Sequence, residues 1–315
     1  MNDVMRIIKE EGLEIEKQEF DNNCYLEFEN DMINNSELIL NSDGSIYHLN
    51  LLPEDLANTI ITVGDPDRVA KVSKYFDRIE LKKGKREFIT HTGYIGTKRL
   101  SVISTGIGTD NIDIVLNELD ALVNIDFQHK VVKSELTSLD IVRIGTSGAV
   151  QTDVEMGSIL ASEYGVGFDA LMQFYQKPYD EIELNIQQAL IRYFPQLSLK
   201  PYVAGAGERL LDRIAFDLPK GMTLTAPGFY APQGRCLRSD NTIPDLIPLV
   251  NSFKHNNFRL TNLEMETAGI YALAKMFGHQ ALSVNAILAS RVAGEFSPNP
   301  EAVVEKAIQL VLERI

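Results

Sequence analysis

The chain has 315 residues, 44% of them apolar, and so has enough material to bury a sizeable core as one large domain or two. Its formal net charge is −14, from 30 basic and 44 acidic residues. That balance excludes a nucleic-acid backbone or an anionic membrane as partner, because both need a basic face, and any anion site must be a local cluster of arginines.

Residues 1–45 alternate acidic and apolar positions and end at the turn signal "NSDG", which predicts an appended helix and strand-like segment ahead of a main domain over 46–315. This N-terminus is too charged for a signal peptide, and no run reaches transmembrane length. From 59 the pattern changes: "TIITV" is a short β-branched run, "DRVAKVSKYF" is helical, "REFITHTGYI" and "KRLSVIST" alternate as strands do, and "NIDIVLNELDALVNI" is helical again. "DIVRI" and "GSILASE" come next, then the helical "DEIELNIQQALIRYF" and then "KPYVAGA". "METAGIYALAKMF" is an amphipathic helix, "QALSVNAILAS" a strand, and "PEAVVEKAIQLVLERI" a closing helix. Strands and helices interleave throughout, so the expected class is α/β with a central, buried mixed sheet. Segments 126–139 and 206–222 fall outside that rhythm and are expected as surface excursions.

Isolated Cys24 and Cys236 fit a reducing cytosol better than a disulfide framework. A cytoplasmic location is the expectation. The five histidines lack HExxH or HxxxH spacing, which argues against zinc. "GVGFDA" at 165–170 matches a dinucleotide pattern, but it lies mid-chain and Pro178 interrupts the segment after it, so a turn is expected there. "GTSGA" lacks the spacing of a nucleophile elbow, and no Walker lysine follows a glycine-rich loop.

Four stretches place polar residues at the end of an apolar strand, where α/β sheets bind ligands. In "TIITVGDPDRVAKV", Gly64 permits close backbone approach, and Asp67 could cap the helix carrying Arg68. "SVISTGIGTDN" again runs from strand into glycines. "SLDIVRIGTSGAVQ" ends an apolar run on Arg143 and opens into Gly145, Thr146, Ser147 and Gly148, either an ordinary turn or an anion site. "RLTNLEMETAGIYALA" carries Glu264 and Glu266, which share a face at an extended strand end and could grip a diol, or else mark a helix N-terminus enriched in Glu. A fifth stretch, "APGFYAPQGR", is a loop in which Gln233 and Arg235 point one way if extended, beside the flat wall of Phe229. That set suits a planar heterocycle with carbonyl and N–H edges, or is a solvated loop.

Taken in order, "YHLNLLPEDLANTIITVGDPDRVAKV", "KREFITHTG", "ISTGIG", "VRIGTSGAVQ", "GFYAPQGR" and "NLEMETAGIYALA" resemble the uridine phosphorylases of the trimeric/hexameric-type nucleoside phosphorylase superfamily. The resemblance covers nearly all of 46–315 outside the two excursions. It implies one domain with a partly barrel-like sheet flanked by helices, and reversible phosphorolysis of uridine, with deoxyuridine or thymidine as further substrates, in pyrimidine salvage. Phosphate is then a co-substrate, and no cofactor is required. Gly64, Arg68, Arg143 and Thr146 resemble the phosphate cradle, with Arg86 arriving from a neighbouring subunit. Glu264, Met265 and Glu266 resemble the ribose grip, with His48 as the neighbour's contribution at the 5′ end. Gln233 and Arg235 match the pair that reads uracil, Phe229 the ring beside the base, and Arg291 a supporting arginine. Catalysis would rest on Arg68, Arg143 and Glu266. Partners would be a nucleoside, phosphate and further copies of the chain, in a homodimer at least or a hexamer.

The chain departs from the family at two places. Asn111 replaces a serine that, with Glu87 and Ile107, resembles a monovalent-cation (potassium) site, and Pro227–Gly228 precede Phe229 where small polar residues are usual. Purine nucleoside phosphorolysis is the nearest rival, but Ser290 is followed by Arg291, where purine enzymes resemble "SD" with an acid toward N7. A hydrolytic nucleosidase would not need the arginines, and a non-catalytic nucleoside-binding protein would be the reading from another class.

Overall fold

The structure is a computed structural model that describes residues 32–315. Residues 33–315 form one compact unit. Cys24 and most of the expected N-terminal segment lie outside the described residues. Within the remainder of that segment, Leu38 is buried in the main core and Leu40 bridges to Ile46.

The elements alternate as the sequence pattern predicts. Strand β1 (Thr59–Val63) leads to helix α1 (Pro66–Ser73), followed by β2 (Arg78–Lys85), β3 (Phe88–Ile95), β4 (Lys98–Ser104) and α2 (Thr109–Asn124). Next come the short pair β5 (Ile125–Asp126) and β6 (Val131–Val132), then β7 (Asp140–Ala149), β8 (Ile159–Gly167), α3 (Glu181–Tyr193), β9 (Tyr202–Gly205), α4 (Glu208–Ile214) and β10 (Lys220–Thr225). The chain closes with α5 (Leu246–Ser252), β11 (Lys254–His255), β12 (Phe258–Glu264), α6 (Thr267–Phe277), β13 (Gln280–Ser290), β14 (Glu295–Phe296) and α7 (Pro300–Arg314).

The sheet runs β11-β12-β10-β8-β13-β7-β1-β4-β3-β2. It is mixed: β7 lies parallel to β1 and β13, whereas β13 meets β8 antiparallel. A further pairing decides the shape. Asn262 and Leu263 of β12 pair with Ala149 and Gly148 of β7, closing β7, β13, β8, β10 and β12 into a ring. Five strands thus form a partly closed barrel, and β1 to β4 extend from it as an open wing.

Both sheet faces are apolar, as strands covered on two sides must be. Ile60, Ile103 and Ile141 pack on one side beneath α2 and α6, and Ile61, Val102 and Val142 pack on the other beneath α1, α4 and α7. Helix α6 carries a nearly continuous buried surface from Thr267 to Ala274, so it is a core helix rather than an amphipathic one.

Several expectations need correcting. Segment 206–222 is no surface excursion: it holds α4, whose Leu210 and Ile214 are buried, and the start of barrel strand β10. Segment 126–139 does lie at the surface, half of its residues exposed and only Leu139 buried. "GVGFDA" is not a turn, because Gly165 and Gly167 lie inside β8. A side chain at Gly165 would stand 2.7 Å from the Cα of Ala268, so the glycine lets α6 lie directly on the barrel. The cap of α1 is Asp65, whose side chain accepts from Asp67 N at 3.0 Å, rather than Asp67 itself.

Candidate active site

A cavity of about 650 Å³ opens at the carboxyl ends of β1, β4, β7 and β12. It is lined by Gly64 and Arg68 after β1, by Gly106 after β4, and by Arg143, Thr146 and Ser147 of β7. From the other side come Glu264, Met265 and Glu266 at the β12–α6 junction, with Phe229, Gln233 and Arg235 from the loop after β10.

At one end sits a buried charge cluster. Arg143 does not end its strand, because β7 continues through Gly148 and Ala149 while paired to β13 along its whole length. The side chain instead folds back over Gly145. A methyl group at Gly145 would fall 1.5 Å from Arg143 Nη1, so glycine there is the space for the guanidinium. Arg143 Nη2 pairs with Glu266 Oε2 and lies 3.2 Å from Glu264 Oε2. Burial works against its charge, but the two carboxylates outweigh that and raise its pKa above the ordinary value. Its Nη1 is buried without a partner among the described residues. Arg68 reaches the same region, donating to Ile144 O at 3.4 Å. Burial, and then Arg143, lower the Arg68 pKa. Two guanidiniums therefore face one corner with more donor capacity than the chain uses, which favours an oxyanion there.

Glu264 and Glu266 do different jobs. Glu264 ends β12 and accepts from Glu266 N at 3.0 Å, from Thr267 N at 3.0 and 3.1 Å, and from Thr225 Oγ1 at 2.7 Å. It is the side-chain acceptor for the first turn of α6, so the plainer alternative holds for this residue. Burial pushes its carboxyl up, with Arg143 opposing and Glu266 adding to the rise. Glu266 stands at the N-cap position, and its Oε1 accepts from Gly108 N at 2.9 Å. Nearby Gly106 is left-handed (φ +70°), and a Cβ there would lie 2.2 Å from Asn111 Nδ2, so glycine leaves room for the Asn111 side chain.

The opposite end is built by the turn after β10. It is not extended: Ala231–Gln233 form one 3-10 turn, closed by Gly234 in the left-handed region. The turn still brings the pair together, with Arg235 Nη1 donating to Gln233 Oε1 and to Phe229 O, each at 2.6 Å. The Arg235 guanidinium lies 3.7 Å from the Phe229 ring centre. Burial, and then the like charge of Arg291, lower the Arg235 pKa to about 10. Arg291 stands behind Gly148, within 3.1 Å of where a Cβ would be, and its Nη1 is buried without a partner among the described residues.

Three expected site residues do not line the cavity of their own chain: Arg291, which stands behind Gly148, Arg86 and His48. Arg86 is exposed at the tip of the β2–β3 hairpin with φ 55°, and His48 Nδ1 is 2.7 Å from Glu118 Oε1. Glu87, Ile107 and Asn111 do line it. A hard cation needs converging oxygens, whereas Asn111 Nδ2 donates to Glu87 Oε1 at 3.3 Å. Within one chain this arrangement does not fit a cation shell. Ser147, which the sequence places in the possible anion site beside Thr146 but to which the resemblance gives no role, also lines the cavity.

Comparison with known proteins matches residues 58–315 to the family model described as "Phosphorylase superfamily". The chain belongs to the phosphorylase superfamily. Among the relatives of this superfamily member, a uridine phosphorylase of Thermococcus kodakarensis is 29% identical, covering 86% of this chain and 88% of its own. A DeoD-type purine nucleoside phosphorylase of Thermoanaerobacter sp. is 27% identical over 79% of this chain and 89% of that one. A solved nucleoside phosphorylase of Trypanosoma brucei, described as showing uridine phosphorylase activity, superposes with a TM-score of 0.81 at 26% identity, covering 88% of this chain and 99% of that chain.

Proposed function

We propose that this chain is a uridine phosphorylase, catalysing uridine plus phosphate to uracil plus ribose 1-phosphate and the reverse. The observation that carries this reading is one cavity lined by a buried, donor-rich arginine pair, by Glu266 and by the Gln233–Arg235 pair. Phosphate sits against Arg68, Arg143 and the Thr146 hydroxyl, which hold it facing the anomeric carbon. Glu266 is fixed by Arg143 and Gly108 N and accepts from ribose hydroxyls beside Met265. The C–N glycosidic bond breaks with its electron pair leaving on uracil, while a phosphate oxygen forms the new bond to C1′. Negative charge growing on the departing base is met by Gln233 and Arg235, with Arg291 behind them. The protein supplies no nucleophile of its own.

Uracil release from uridine should require phosphate and give ribose 1-phosphate in equal amount. Equal rates in phosphate-free buffer would assign hydrolysis instead.

The site of a cytoplasmic homodimer would be completed by His48 and Arg86 of the neighbouring copy, which accounts for both standing outside their own cavity. Co-expressing Arg86→Ala with Arg68→Ala chains tests this. If Arg86 acts across the interface, each mixed dimer holds one intact site and one doubly altered site, so about half the activity per dimer returns. No recovery in verified mixed dimers would keep Arg86 in its own chain or outside catalysis.

A further inference from the structure

Each of the five barrel strands places a buried polar side chain in one connected chain of hydrogen bonds. Asn285 of β13 donates from Nδ2 to Ser162 Oγ of β8 at 2.9 Å, and Ser162 Oγ lies 2.5 Å from Thr223 Oγ1 of β10. Thr223 Oγ1 donates to Asn262 Oδ1 of β12 at 2.9 Å, and Asn262 Nδ2 donates to Ser147 Oγ of β7 at 2.9 Å. Ser162, Thr223, Asn262 and Asn285 have no solvent exposure, and Ser147 alone of the five lines the cavity.

The chain has a direction. Thr223 spends its hydrogen on Asn262, so Ser162 must be the donor to Thr223. The reversed arrangement would turn both amides and leave the Asn285 amide nitrogen at the position that has no partner. The arrangement as it stands leaves only one buried acceptor, Asn285 Oδ1, unsatisfied. A lone carbonyl-type acceptor is tolerated better than an orphaned N–H. Thr261 Oγ1 has two acceptors in reach, Asn262 Oδ1 at 2.9 Å and Met222 O at 3.0 Å, and is compatible with either orientation, so the direction rests on Asn285. Ser147 Oγ is thereby committed as an acceptor from Asn262, and its own hydrogen has no acceptor among the described residues.

We infer that Ser147 is a substrate-facing hydrogen-bond donor, and that Asn262, backed by Thr223, Ser162 and Asn285, is the positioning residue that aims its proton into the cavity. Resting on the reading of the site as a phosphorylase, the inference assigns Ser147 an oxygen acceptor on the bound reactants. That oxygen belongs either to phosphate or to the nucleoside, and the kinetics separate the two.

The test varies uridine and phosphate independently. Ser147→Ala should lower kcat/KM roughly three- to tenfold, the effect of one neutral hydrogen bond, and Ser147→Thr should restore it. A raised KM for phosphate places the acceptor on phosphate, and a raised KM for uridine places it on the nucleoside. Asn262→Asp turns the serine proton inward toward a carboxylate, so it should cost a similar factor, and adding it to Ser147→Ala should cost nothing more. Thr223→Val, which keeps shape, replaces Asn262→Asp in the cycle if that variant does not fold, with the same non-additivity expected. Wild-type kcat/KM for Ser147→Ala with both reactants, or losses that multiply in the double variant, would overturn the inference. An unaltered protein that released no uracil with phosphate would instead overturn the phosphorylase reading.

Discussion

Arg143→Met is expected to abolish detectable phosphorolysis and to lower the unfolding free energy by about 3–5 kcal/mol, the usual cost of leaving a buried charge without its partner. The residue serves two carboxylates, so its loss leaves Glu264 and Glu266 facing each other in a buried site. Glu264 must still accept from the first N–H groups of α6, so it cannot turn away. The destabilisation should shrink as pH falls, because protonating either carboxyl removes the repulsion. Urea unfolding at neutral and mildly acidic pH, with phosphorolysis measured alongside, checks both. A variant as stable as the parent at neutral pH would show that the carboxylates are not held apart by Arg143.

At the opposite end, Arg235→Ala should reduce kcat/KM for uridine roughly ten- to hundredfold while leaving stability within about 0.5 kcal/mol. The asymmetry comes from the contacts. Arg235 is bonded to Phe229 O and Gln233 Oε1 within its own turn and stacks on an exposed ring, so its removal unsettles little beyond that loop. Its pKa, pressed down to about 10 by burial and by Arg291, still leaves it charged at neutral pH. Negative charge growing on the leaving base relieves that crowding, an interaction stronger in the transition state than in the ground state. Gln233→Ala should fall similarly. Unchanged uridine kinetics in either variant, or a preference of the unaltered protein for inosine, would move the base-reading role elsewhere.

The α/β class was legible because the alternation of period-two and period-3.6 runs is a local signal. So was the meeting of Gly64 and Glu266, since each follows an apolar strand and such ends gather on one side of a sheet, whereas Arg143 joins them from inside β7. What escaped is set by long-range pairing. Nothing near Gly145–Ala149 announces that β13 will hold those residues in a strand, and only the β12–β7 register closes the barrel. The split between Glu264 and Glu266 escaped for a related reason. Two carboxylates two positions apart look equivalent until the backbone turns into α6 between them. Segment 206–222 looked irregular because α4 is a short helix of seven residues, too short to establish a period.

The tie between Glu264 and the first turn of α6 bears on how such a protein can diverge. Any substitution around Arg143 must satisfy the anion, two carboxylates and the start of a core helix together, so most single changes there forfeit the scaffold along with the activity. The turn at Phe229–Arg235 is held more loosely, beyond its own bonds by Gln233 Nε2 donating to Glu264 O at 3.5 Å and Asn241 Nδ2 donating to Arg235 O at 3.3 Å. Lineages sharing this framework can therefore explore new heterocycles by altering one surface turn, while the anion corner stays under the purifying constraint of the fold.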